Sequence, residues 1–225
     1  MDVMTAAQSA VLWAHIAAGV LALSAGLVAM ATEKGGRRHV RAGRIYVGSM
    51  AVVVTTALPL AAVDADYFLF SIAVFSGYLV FTGWRVLAGK RPEPGAAAPA
   101  DWAANLTMFG FGLAMLCLGA ADLLAGDILG TALIVFGAIG LALAGSQVRS
   151  IYRPPEDPRE WISKHIVFMG GGYIATVTAA VTVNLVMLPP VLRWVGPTLV
   201  GTPLIAVAVT RHERRFDSEA EPPSQ

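Results

Sequence analysis

Four histidines are the side chains of this chain best suited to proton transfer or metal ligation in or beside an apolar segment: His15, His39, His165 and His212. Near neutral pH an imidazole either moves a proton or offers a ring nitrogen to a metal or haem iron. His15 lies two residues beyond Trp13, inside an apolar run. It reads either as a neutral ring bonded to a neighbouring helix or as a ligand or proton-transfer group, because ionisable groups in membrane helices are costly and often functional. His39 sits in Arg37-Arg38-His39-Val40-Arg41-Ala42-Gly43-Arg44-Ile45-Tyr46, where the plainer role is one more member of a basic anchor. His165 follows Trp161 and Lys164, about one turn inside its apolar run. His212, in Arg211-His212-Glu213-Arg214-Arg215, reads as part of a solvated anchor on anionic lipid headgroups.

Spacing limits which histidines act together. Along helices rising 1.5 Å per residue, His15 and His165 are separated by on the order of 15–20 Å across a membrane, so one iron cannot take both. The pair at one level is His39 and His165, while Met187 sits at the level of His15. The remaining polar groups in the apolar runs are mild: Thr55, Thr56, Asn105, Thr176, Thr178, Thr182 and Asn184 read as interhelical hydrogen-bonding groups. No Asp, Glu or Lys falls near the middle of a run. That argues against a proton- or sodium-coupled transporter and against an intramembrane hydrolase needing an acid/base pair. Phosphate-cradling Gly-Lys-Ser/Thr, His-Glu-x-x-His and Cys-x-x-Cys patterns do not occur. Cys117 is the single cysteine, so no intrachain disulfide forms, and it reads as a small buried hydrophobe.

The elements that carry these residues are seven apolar stretches at about 10–32, 45–63, 67–87, 102–124, 128–147, 162–188 and 192–210. A bilayer core of about 30 Å needs about 20 helical residues. The chain has 225 residues, 56% hydrophobic and 14% charged, against about 25% charged in ordinary soluble domains. No basic stripe of nucleic-acid type exists outside the gaps between the runs. β-barrel strands are excluded, since the runs are too long and do not alternate. The expected fold is all-α, a polytopic transmembrane helical bundle in a single domain over 1–215, with a disordered tail at 216–225.

Fifteen of the sixteen Lys and Arg residues lie in Glu33–Arg44, Arg85–Asp101, Arg149–Lys164 and Arg211–Gln225, which are alternate gaps and the tail; Arg193 is the exception. Positive charge flanking spans marks the cytoplasmic side, which puts the N-terminus outside and the C-terminus in the cytoplasm. Trp13 and Trp194 then mark the outer interface. Trp84, Trp102 and Trp161, with Arg211, Arg214 and Arg215, mark the inner one. Ala29-Met30-Ala31 resembles a signal-peptide cleavage site, but the first run lacks a basic start and is about twice the usual length, so it reads as a retained helix. The other loops are short and Pro-rich, leaving no soluble catalytic module.

Small residues mark the expected helix contacts. His15, Gly19, Ala22 and Gly26 share one face of the first helix. Gly130, Gly137, Ala144 and Gly145 lie on the fifth, and Gly170-Gly171-Gly172 on the sixth, where they read as close packing or as a ligand contact or hinge.

Two stretches resemble a known family: Trp13-Ala14-His15-Ile16-Ala17-Ala18-Gly19 continuing through His39-Val40-Arg41-Ala42-Gly43-Arg44-Ile45-Tyr46, and His165-Ile166-Val167-Phe168-Met169 followed by Tyr173. They resemble the bacterial membrane proteins catalogued as domain of unknown function 2306, over roughly Leu12–Leu60 and Arg159–Asn184. Where that pattern has arginines in the later helix, this chain has Gly171 and either Val183 or Asn184. The resemblance carries no assigned activity. It implies that His15, His39 and His165, with Gly19, Arg44, Tyr46, Met169 and Tyr173, form the set to test. The functional expectation is therefore binding of a small ligand, haem or metal through histidines. The alternatives are a permease or channel for a small neutral solute, suggested by Pro59, Pro197 and Pro203, or a structural subunit of a membrane complex. The expected partners are the lipid bilayer and either a second copy or another membrane subunit.

Overall fold

The computed structural model describes residues 5–90, 95, 97–153, 157 and 159–220, with side chains described as far as Arg214. The described residues form seven α-helices: α1 (Ala6–Ala31), α2 (Arg37–Val63), α3 (Tyr67–Arg85), α4 (Pro99–Leu124), α5 (Gly130–Tyr152), α6 (Glu160–Asn184) and α7 (Pro190–Ala220). All seven are long and apolar enough to cross a membrane. This is the architecture of a multi-pass membrane protein.

The helices differ from the apolar runs mainly at their basic ends. α2 begins at Arg37 rather than Ile45, so the expected loop carrying His39, Arg41 and Arg44 is its first two turns. Arginine is a good helix former, and only its hydropathy removes it from an apolar window. For the same reason α7 continues through the basic segment to Ala220, so the first half of the expected disordered tail is helical, while 221–225 lie outside the described residues. α6 stops at Asn184 rather than Leu188, because Pro189 and Pro190 follow and the residue before a proline is pushed out of helical geometry. The α2–α3 turn is tight, with Ala65 in the left-handed region at φ 51° and the Asp66 side chain accepting from the Leu69 N–H at 2.8 Å.

The chain folds as three antiparallel hairpins, α1–α2, α4–α5 and α6–α7, around α3. α3 touches α2, α4, α5 and α6, and half of its most apolar window is buried. Where helices cannot use water to drive them together, close backbone approach does the work. α4 and α5 meet through glycines: a Cβ on Gly137 would lie 2.9 Å from the Gly112 carbonyl oxygen, and Gly119 faces Gly130 in the same way. Gly145 by contrast has open space beside it.

Two cores result. One joins α3, α4, α5, α6 and α7 through Phe75, Leu79, Met108, Met115, Leu133, Phe136, Phe168 and Trp194. The other joins α1, α2, α3 and α6 through Ala22, Ala25, Tyr46, Met50 and Val80. Trp194, expected at the membrane interface, is only 8% exposed and packs edge-on against Phe68 with ring centroids 4.7 Å apart. Its place is the core, where its ring reaches from the start of α7 to Phe68 at the start of α3. Cys117 differs the other way. It lies on the exposed face of α4, where a small apolar side chain meets the surroundings of the bundle at little cost.

Candidate functional site

The first-turn histidine of α2 is held by the end of α1. A helix leaves its last carbonyls without intrahelical donors, and α1 ends at Ala31. His39 Nδ1 donates to the Ala29 carbonyl at 2.9 Å. Lys34 Nζ donates to Ala29 at 3.2 Å and to Met30 at 2.6 Å, and Thr32 Oγ1 to Val28 at 2.8 Å. Partial burial in this cap pulls the Lys34 ammonium below its usual pKa.

His165 does the same for α3. Leu87 N–H turns to the Trp84 carbonyl, leaving Gly83 free, and His165 Nδ1 donates to the Gly83 oxygen at 2.9 Å. The next residues of the motif complete this joint. Phe168 meets Tyr78 edge-on at 5.9 Å, and Met169 Sδ lies 2.8 Å from where a Cβ on Gly83 would be. His39 and His165 both lie near the starts of their helices, α2 and α6, at the same end of the bundle. At the opposite end of α1, His15 Nδ1 sits 3.1 Å from the Val53 carbonyl and 3.0 Å from Thr56 Oγ1 on α2.

One chemical property is common to the three rings. Each meets a backbone carbonyl through Nδ1, and a carbonyl only accepts. In the neutral ring the proton is therefore on Nδ1 and the lone pair on Nε2. A ligating histidine is oriented in the same way, with its other ring nitrogen committed to a carbonyl or carboxylate.

The tyrosines of the expected set meet between the two levels of histidines. Tyr46 and Tyr173 have ring centroids 6.2 Å apart. Tyr46 is buried, and its hydroxyl shares a hydrogen bond with Thr176 Oγ1 at 3.2 Å. The Tyr173 hydroxyl donates to the Leu23 carbonyl at 3.2 Å. The Tyr173 ring lies against Gly26, where any Cβ would collide with it. So Tyr46, Met169 and Tyr173 are brought together in the α1/α2/α6 core. Gly19 has open space beside it, and Arg44 is exposed on α2.

The expected interfacial residues vary. Trp13 is 69% exposed and Trp84 half exposed. Trp102 packs against Tyr152 at 6.0 Å, and Lys90 Nζ lies 4.4 Å from the Trp161 ring centre. Arg211 and Arg214 are exposed, whereas the Arg215 side chain lies outside those described.

Asn105 makes an interhelical hydrogen bond as expected, but the ion pair beside it between α3 and α4 was not foreseen. Arg85 grips Asp101 with two bonds, Nε to Oδ1 at 2.8 Å and the terminal nitrogen to Oδ2 at 2.9 Å. Asn105, one turn deeper, donates to the Asp101 carbonyl at 2.8 Å and accepts from the Tyr78 hydroxyl at 3.0 Å. The available signal was an acid in the first turn of a helix, just ahead of an apolar run. Arg193, the one base at the other end, donates to the Thr182 carbonyl at 2.9 Å and so caps α6. Among the described residues, no three His, Cys, Asp or Glu side chains gather as a metal-holding group.

No protein-family model, curated protein or solved structure matches this chain.

Proposed function

We propose that this multi-pass membrane protein binds haem or a metal ion through Nε2 of His39 and His165, at the end of the bundle that faces the cytoplasm of a bacterial inner membrane. The carrying observation is that both rings lie at that end, each with Nδ1 committed to a helix-terminal carbonyl and Nε2 left with its lone pair. Two imidazoles, with no third His, Cys, Asp or Glu gathered beside them among the described residues, would suit haem iron better than an all-protein metal cage, which takes about four ligands. Bound haem would supply one-electron chemistry. The chain's own part is to orient the two rings and exclude water. The resemblance to domain of unknown function 2306, and the assignment of His15 to a separate site at the outer end, belong to the same proposal.

The test is an absorption spectrum and elemental analysis of protein purified in mild detergent. A Soret band that disappears in His39→Ala and His165→Ala is expected. A colourless wild-type protein free of metal overturns the reading. Orientation is checked by reporter fusions: the 64–66 turn and the C-terminal tail should report opposite sides of the membrane.

A further inference from the structure

Three helices start at the basic end of the bundle, and two of them bring their own acid. Asp101 in the first turn of α4 pairs with Arg85, and Glu160 in the first turn of α6 lies 3.1 Å from Lys164. α2 has no acid in its first turn. Arg37, Arg38, Arg41 and Arg44 crowd its first two turns, all four exposed, and none makes an ion pair among the described residues. Arg37, Arg41 and Arg44 recur at helical spacing and share a face.

The neighbours of these arginines identify what they meet. Val40 is 39% exposed and Ile45 48%, side by side with the guanidinium groups. α2 has 27 residues, about 40 Å at 1.5 Å per residue, against a hydrocarbon core of about 30 Å. Its first turns therefore stand in the headgroup layer. There an aliphatic side chain meets acyl chains while a guanidinium reaches phosphate oxygens, which it binds in a bidentate fork. A soluble acidic protein would match the charge but would leave Val40 and Ile45 against a polar surface.

We propose that the arginine face of α2, Arg37, Arg41 and Arg44 with Arg38 beside it, is a docking surface for the phosphate groups of anionic phospholipids in the leaflet at the basic end. It is separate from the histidine reading and stands without it. The test uses the full chain in mild detergent, titrated with phosphatidylglycerol or phosphatidylcholine and read by native mass spectrometry. The wild type should prefer phosphatidylglycerol at low salt, and the preference should fall about fivefold per arginine removed and with added salt. The triple variant Arg37→Gln, Arg41→Gln, Arg44→Gln should lose it. Should the glutamine variant fail to fold, the corresponding lysine triple, which retains charge, should keep the preference. Phosphatidylglycerol binding unchanged in the glutamine triple overturns the proposal, as does a folded lysine triple without preference. So does an acidic protein held by the wild type and lost from the glutamine triple with no lipid preference in either.

Discussion

His165 gives its Nδ1 proton to the carbonyl of Gly83 at 2.9 Å, and so closes the end of a helix to which it does not belong. Two roles are thus combined in one ring, a cap through Nδ1 and a free lone pair at Nε2. Asparagine separates them, because its amide nitrogen replaces Nδ1 while nothing replaces Nε2. His165→Ala should cost about 1–2 kcal/mol of stability, the usual worth of a hydrogen bond plus lost contacts. His165→Asn should recover much of that loss while still removing any haem signal. Thermal unfolding in detergent together with the absorption spectrum reads both.

The face His15, Gly19, Ala22, Gly26 on α1 divides into tight and open positions. Tyr173 fills the space beside Gly26, whereas nothing lies within 4 Å of a Cβ at Gly19. Gly26→Ala should destabilise by about 1–3 kcal/mol, the usual cost of overpacking. Gly19→Ala should be neutral or stabilising by up to about 1 kcal/mol through helix propensity. Comparing the melting temperatures of the two variants decides it, and equal behaviour would remove the Tyr173 contact as the cause.

Arg85 and Asp101 are each a little under one third exposed, so their two-pronged pair is partly screened. A double-mutant cycle should give a coupling of about 1 kcal/mol, at the upper end for exposed pairs. Asp101→Ala should cost more than Arg85→Ala, since Asp101 also accepts from the Ala98 N–H at 3.3 Å and sits favourably at the start of α4. The reverse order would show that the pair alone accounts for Asp101.

Cys117 faces outward on α4. Cys117→Leu should change stability by less than about 0.5 kcal/mol, as expected away from packed features. A large loss would place this face against another protein surface rather than lipid.

The number of helices and their centres were legible because a bilayer imposes one length on every span. The ends were not. Arg37 to Arg44 are excluded from an apolar window yet are good helix formers, so α2 extends past the hydrophobic boundary. Among the candidate residues, Tyr46 and Tyr173 do meet, and His39 and His165 do share one end, as helical spacing allows. What no spacing reveals is which neighbour receives each ring. The partners of His39, His165 and Arg193 are carbonyls at the ends of other helices, and a carbonyl has no residue type to read. Trp194 shows the same limit: nothing in the sequence names the Phe68 ring that covers it.

The position of α3 bears on how the molecule is made. Its neighbours on both sides form hairpins with adjacent partners, and each hairpin closes soon after its second helix emerges. α3 packs on α2 before it and on α4 after it, but closes no pairing as extensive as these hairpins. Its contacts with α5 and α6 lie far ahead in the chain, and its buried face carries Ser71, Ser76, Tyr78 and Thr82. During synthesis those hydroxyls enter the bilayer before the surfaces that will cover them exist. Enclosure of α3, the third span to be built, is therefore complete only once α6 has been made.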